Sequence, residues 1–73
     1  MSNRRKIEWP TLLKDGGWRS VYEPNQYFCS YFRRRHGKKQ FVTLIGGVWS
    51  LEVDDQIISV GVLDLCLIHA DTL

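Results

Sequence analysis

The sequence predicts a small α+β domain: an antiparallel β-meander of about four strands behind a short helical or irregular N-terminal segment. Three observations lead there. Three β-rich runs at residues 40–45, 48–53 and 56–60 are separated only by Gly46-Gly47 and Asp54-Asp55, both hairpin chemistry. Within the middle run Val48, Ser50 and Glu52 alternate with Trp49, Leu51 and Val53, the period of a strand with one dry face. Upstream, Pro10 and the Gly16-Gly17 pair bracket a stretch short enough for one or two helical turns.

Taken in order, residues 1–6 are polar, basic and without periodicity, and read as a flexible arm. Residues 7–70 form one compact domain, and residues 71–73 a frayed tail. Residues 10–14 make the short helix, with Leu12 and Leu13 directed to the core. Residues 18–23 alternate partially and read as a short strand or extended segment before the Pro24-Asn25 turn signal. Residues 27–35 admit two readings. A helix would start near Pro24-Asn25 and close at Gly37, with Arg33 to His36 complementing its C-terminus. A strand would use His36-Gly37 as a hairpin turn and pair Phe32 with Phe41, a favourable cross-strand aromatic contact. That pairing favours the strand, although Arg33, Arg34 and Arg35 then crowd Lys38 and Lys39. Gly61 marks a bulge or a strand end. Residues 62–69 are apolar except Asp64, and form a last strand or a closing helix. Trp9, Leu12, Leu13 and Trp18, with Leu63, Leu65 and Leu67, are the expected cover for the sheet.

At 73 residues the chain supports one core and little more. It has room for a docking surface, not for a deep catalytic cleft. Charge is divided along the chain. All ten Lys and Arg fall in residues 1–40 against three acids, a balance of +7. Residues 41–73 hold five acids and no Lys or Arg, a balance of −5. Such asymmetry suits an anionic partner for the first half. The two halves attracting each other across the fold explains it equally well.

The residues that carry chemistry in other proteins lack the right settings here. Cys29, His36, Cys66 and His69 offer only one tight zinc knuckle where structural sites use two, so the cysteines are expected to pack as small hydrophobes. Two cysteines make no disulfide framework. His69 stands near Asp71 without an activated nucleophile. Gly46-Gly47 is followed by no helix or Lys-Ser/Thr pair, which excludes a phosphate loop. Glu52, Asp54 and Asp55 read as a solvated turn. The expectation is a binding protein, not an enzyme, with no cofactor and no metal. Glu8 and Pro10 interrupt any secretory leader, and residues 57–70 are too short an apolar run to span a bilayer. A cytosolic protein with reduced thiols, monomeric and without a membrane partner, is expected.

Two basic clusters remain: Arg4-Arg5-Lys6, and Arg33-Arg34-Arg35-His36-Gly37-Lys38-Lys39. Aromatic residues accompany both, which suits phosphate contacts with base stacking or an acidic protein patch with aromatic anchors. No capped recognition helix follows either cluster, so sequence-specific DNA reading is not indicated.

The opening Met-Ser-Asn-Arg-Arg-Lys-Ile-Glu-Trp-Pro-Thr-Leu-Leu and the central Tyr-Phe-Cys-Ser-Tyr-Phe-Arg-Arg-Arg-His-Gly resemble the small RNA-polymerase-binding transcription regulators of lytic Xanthomonas phages. The resemblance extends over the full chain. It implies a bacterial RNA polymerase partner, bound through the N-terminal part of its largest subunit in the host cytoplasm. It further implies inhibition of sigma-dependent initiation and readthrough of intrinsic terminators, with a host elongation factor and emerging RNA nearby. On this reading Arg4, Arg5, Lys6, Ile7, Trp9, Trp18, Arg19 and Tyr22 make the protein contact, and Arg33, Arg34, Arg35, Lys38 and Lys39 add electrostatic contacts. Two alternatives keep the same residues: a nucleic-acid-binding module, and an inhibitor of another host protein complex.

Overall fold

A computed structural model of the chain describes residues 9–21 and 27–73. Helix α1, Trp9–Asp15, leads into strand β1, Arg19–Ser20. Strands β2, Phe28–Arg35, β3, Lys38–Ile45, β4, Val48–Val53, and β5, Gln56–Gly61, follow, and helix α2, Leu63–Asp71, closes the fold. The strands lie in sequence order, each antiparallel to its neighbour. This is the expected α+β meander, with a fifth strand. The addition is the two-residue β1, which pairs Arg19 with Phe32 and Ser20 with Tyr31.

Local chemistry accounts for each boundary. Pro10 lies in the first turn of α1, where its missing N–H costs nothing. At the other end the Trp18 amide donates to the Leu13 carbonyl at 2.9 Å and the Gly17 amide to that of Lys14 at 3.1 Å. Gly17 takes φ +89°. This is a Schellman stop, whose left-handed position admits glycine most readily. It also brings Trp18 back onto Leu13, and both enter the core. The β2–β3 turn uses His36 at φ 52° and Gly37 at φ 77°; the β4–β5 turn uses Asp54 at φ 49° and Asp55 at φ 72°. Two positive φ values in a row match the right-handed twist of a hairpin.

Residues 27–35 resolve in favour of the strand. Phe32 faces Phe41 across β2 and β3 as expected, with ring centroids 5.0 Å apart. Residues 62–69 resolve in favour of the helix. Leu63, Cys66, Leu67 and Ala70 fall at i, i+3, i+4 and i+7 and form the side of α2 that packs on the core. Gly61 ends β5 with φ +143°. The bulge sits just before it: Leu51 pairs with Ser59 and Glu52 with Ile57, which leaves Ile58 without an opposite residue.

The pairing register assigns every strand residue to one of two faces. Cys29, Tyr31 and Arg33 share a face with Gln40, Val42 and Leu44 and with Trp49, Leu51 and Val53, and all of these are buried. Both helices cover that face. Trp9 packs edge-on against Trp49 at 5.8 Å, and the Gln40 side chain donates to the Ala70 carbonyl at 2.9 Å, tying α2 to the sheet. Leu12 and Leu65, expected in the cover, are exposed instead. Each is adjacent in sequence to the residue its helix does bury, and a helix this short has one inward stripe. No helix crosses the second face among the described residues.

Candidate functional site: a basic hairpin, a groove and an uncovered sheet face

Of the residues expected to make a protein contact, Arg4, Arg5, Lys6, Ile7 and Tyr22 lie outside the described residues. Trp9 is half-buried on Trp49. Trp18 is only 4% exposed, so it is a core residue and not a projecting anchor. Its placement follows from the Schellman stop, which folds it under the sheet edge. Arg19 is exposed beside it on β1. Trp18, Arg19, Ser20, Pro10, Lys14, Gly17 and Tyr31 line an open groove of about 510 Å³ between α1 and the β1 edge. Two cations, Lys14 and Arg19, thus border a groove walled by Trp18 and Tyr31.

The second basic cluster divides by strand parity. Arg34, Lys38 and Lys39 are exposed at the β2–β3 end. Arg33 points to the covered face and is 8% exposed, which corrects its expected role as a surface electrostatic contact. Its guanidinium is fully engaged there. Nε donates to Gln40 Oε1 at 2.7 Å, Nη1 to the Gly16 carbonyl at 2.9 Å and Nη2 to Asp71 Oδ1 at 2.7 Å. The same group lies over the Trp18 ring at 4.4 Å. Arg35, partly exposed, shares Asp71 Oδ1 at 3.2 Å. Asp71 therefore belongs to the ordered helix and anchors it, where a frayed tail was expected. His36 adds a contact from Nδ1 to the Leu73 carbonyl at 3.1 Å.

The charge asymmetry is consequently part internal. Asp71 neutralises Arg33 and Arg35, and Asp54 Oδ1 accepts from the Lys39 amide at 3.0 Å. What remains outward at this end of the sheet is Lys38 and the like-charged cross-strand pair of Arg34 and Lys39.

The uncovered face reads in rows across the sheet. Arg19, Phe32, Phe41, Glu52 and Ile57 make one row. Arg34 and Lys39 lie on one side of it. On the other side Ser30, Thr43, Ser50 and Val60 make a row of mostly small hydroxyl residues, with Ser30 Oγ and Thr43 Oγ1 3.1 Å apart. Phe28, Ile45 and Val48 follow. Ile45, Ile57 and Val60 are each more than 60% exposed, a concentration of apolar side chains that marks an interaction surface.

Burial pushes the Cys29 and Cys66 thiols and the Tyr31 hydroxyl above their ordinary pKa values. For Cys29 the Leu44 backbone opposes the shift; for Cys66 the Ser59 contact does. Both cysteines are free and fully buried, while His36 and His69 are exposed, so the four do not form one centre. Among the described residues no three His, Cys, Asp or Glu side chains converge as metal ligands, and no helix is long and apolar enough to cross a membrane.

No protein-family model matches the chain, and no curated protein or solved structure matches it.

Proposed function

We propose that this protein is a phage transcription regulator that docks on bacterial RNA polymerase at the N-terminal part of its largest subunit. In this role it inhibits sigma-dependent initiation and promotes readthrough of intrinsic terminators. The identity of the partner rests on the sequence resemblance. The observation that carries the docking itself is the groove between α1 and β1, bordered by Lys14 and Arg19 and walled by Trp18 and Tyr31. A groove of that kind accepts an extended or helical segment with an acidic flank.

Binding alone can produce both effects. A small protein shifts a large machine between states only by binding one of them more tightly. Docking that disfavours the initiation-competent arrangement and favours the elongating one requires no turnover. The buried, neutral thiols agree with a protein that acts by binding.

Co-elution with xanthomonad RNA polymerase on a sizing column tests the proposal, with bare DNA as the control. Stoichiometric co-elution with polymerase supports it. The double variant Arg4→Ala, Arg5→Ala should weaken that complex without moving the thermal midpoint. Elution of the unaltered protein apart from polymerase overturns the proposal.

A further inference from the structure

The face opposite the helices carries two aromatic rings that the α1–β1 groove does not contain, and Arg19 on β1 borders both. Phe32 and Phe41 sit side by side on adjacent central strands, half-buried, with ring centroids 5.0 Å apart and planes at 47°. Arg19 flanks Phe32 on β1, while Arg34 and Lys39 occupy the next positions of the same face on β2 and β3. Two residues along a strand is about 7 Å, the reach between a nucleobase and its own phosphate. Among the described residues no acid pairs with these three side chains. Two carboxylates lie in the neighbourhood: Glu52, beyond Phe41, and Asp54, whose Oδ1 accepts from the Lys39 backbone amide and not from its ammonium group. On the other side lies the row of short hydroxyl side chains, with Thr43 and Ser50 half-buried and Ser30 buried.

We infer that this face binds single-stranded nucleic acid, with Phe32 and Phe41 as base-stacking platforms and Arg19, Arg34 and Lys39 as phosphate contacts. Open sheets that carry adjacent aromatic rings on central strands bind unpaired bases in this way, because every base presents a π-face and the sheet gives it a flat support. A duplex hides those faces. Charge selects nucleic acid over a protein segment. The cations lie one position from the rings, whereas the aliphatic pair Ile45 and Val48 that an apolar peptide would need lies on the far side of the hydroxyl row. The inference does not depend on polymerase, since bare oligonucleotide tests it.

The experiment titrates the intact protein into a fluorescent oligouridylate of about ten nucleotides, following anisotropy at low and moderate salt. A duplex of the same length and poly-glutamate serve as comparisons. Binding of the single strand in preference to the duplex is expected, with a log–log salt slope of about −2 for three phosphates. Phe32→Leu and Phe41→Leu keep apolar volume but remove the stacking face, and each should weaken binding about tenfold. Arg34→Ala and Lys39→Ala should each flatten the slope by roughly 0.7. Should a Leu variant fail to fold, the unaltered protein still decides: the ring proton resonances of Phe32 and Phe41 must shift as oligouridylate is added. Absence of binding, equal affinity for duplex, undisturbed rings, or folded Leu variants that bind normally each overturn the inference. Binding of poly-glutamate and not of oligouridylate also overturns it, and reassigns the face to an acidic protein.

Discussion

Arg33 and Asp71, 38 residues apart, meet at 2.7 Å and join the middle of the sheet to the last turn of α2. The arginine is buried and the aspartate is 57% exposed, so the two ends of this pair are not equivalent. Removing Arg33 leaves Gln40 Oε1 without its buried donor, the Gly16 carbonyl without its partner and Trp18 without its cation. Removing Asp71 leaves a guanidinium that still has those three partners.

Arg33→Ala should therefore destabilise the domain by about 3 kcal/mol, in the range for breaking a buried polar network. Asp71→Asn should cost less than about 1 kcal/mol, as for a largely solvated ion pair. Arg33→Lys should not restore stability, because a lysine has no second planar nitrogen for Gln40. Urea unfolding of the three variants gives the comparison. Similar losses for Arg33→Ala and Asp71→Asn would show that the ion pair, not the network, holds α2.

Lys39 stands opposite Arg34 on the uncovered face. Lys39→Gln removes the like charge opposite Arg34 without setting a second carboxylate beside Asp54, and should raise stability by roughly 0.3 kcal/mol. The same change should weaken the binding of oligouridylate. A thermal midpoint that rises while binding falls separates the two roles of this position. Loss of both would place Lys39 in the fold and not at a binding face.

The β4–β5 turn holds Asp55 at φ 72°, a left-handed conformation that glycine adopts at lower cost. Asp55→Gly should stabilise the protein by about 0.5–1 kcal/mol. The neighbouring Asp54 is different, because its carboxylate accepts from the Lys39 amide. Asp54→Gly should gain less or lose stability. Chemical denaturation of both variants checks the contrast.

The buried thiols make stability fall in alkali. Burial raises the Cys29 and Cys66 pKa values above the ordinary 9.0, so the unfolded chain releases these protons at lower pH than the folded one. The contribution is complete below pH 9 and diminishes as pH climbs through the folded values, with Tyr31 acting in the same sense above its ordinary 10.0. Urea midpoints between pH 8 and 10.5 should decline, and Cys29→Ser, Cys66→Ser should flatten the decline. A thiol reagent at pH 8 should label the native protein slowly and the urea-unfolded chain at once. Rapid native labelling would contradict the burial of both sulfurs.

Much of this architecture is written in short-range patterns. The hairpin turns at His36-Gly37, Gly46-Gly47 and Asp54-Asp55, the alternation in β4 and the Gly16-Gly17 stop are all local, and local chemistry selects them without help from the rest of the chain. The Phe32–Phe41 pairing follows from the turn register alone. Residues 62–69 were ambiguous because an apolar run of that length suits either a strand or a buried helix. The helix forms where its Leu63, Cys66, Leu67 and Ala70 stripe can cover the sheet.

By itself, the sequence determined the antiparallel meander, the separation of charge between halves, and the parity that places alternate residues on opposite faces. It could not determine which face the helices would take. That choice sends Arg33 inward and Arg34 outward from one uninterrupted run of arginines, and recruits Asp71 to neutralise the first. It also withdraws Trp18 from the surface and leaves Phe32 and Phe41 on the open side. Such outcomes depend on which distant groups arrive within a few ångströms of one another, and only the assembled tertiary structure brings them there.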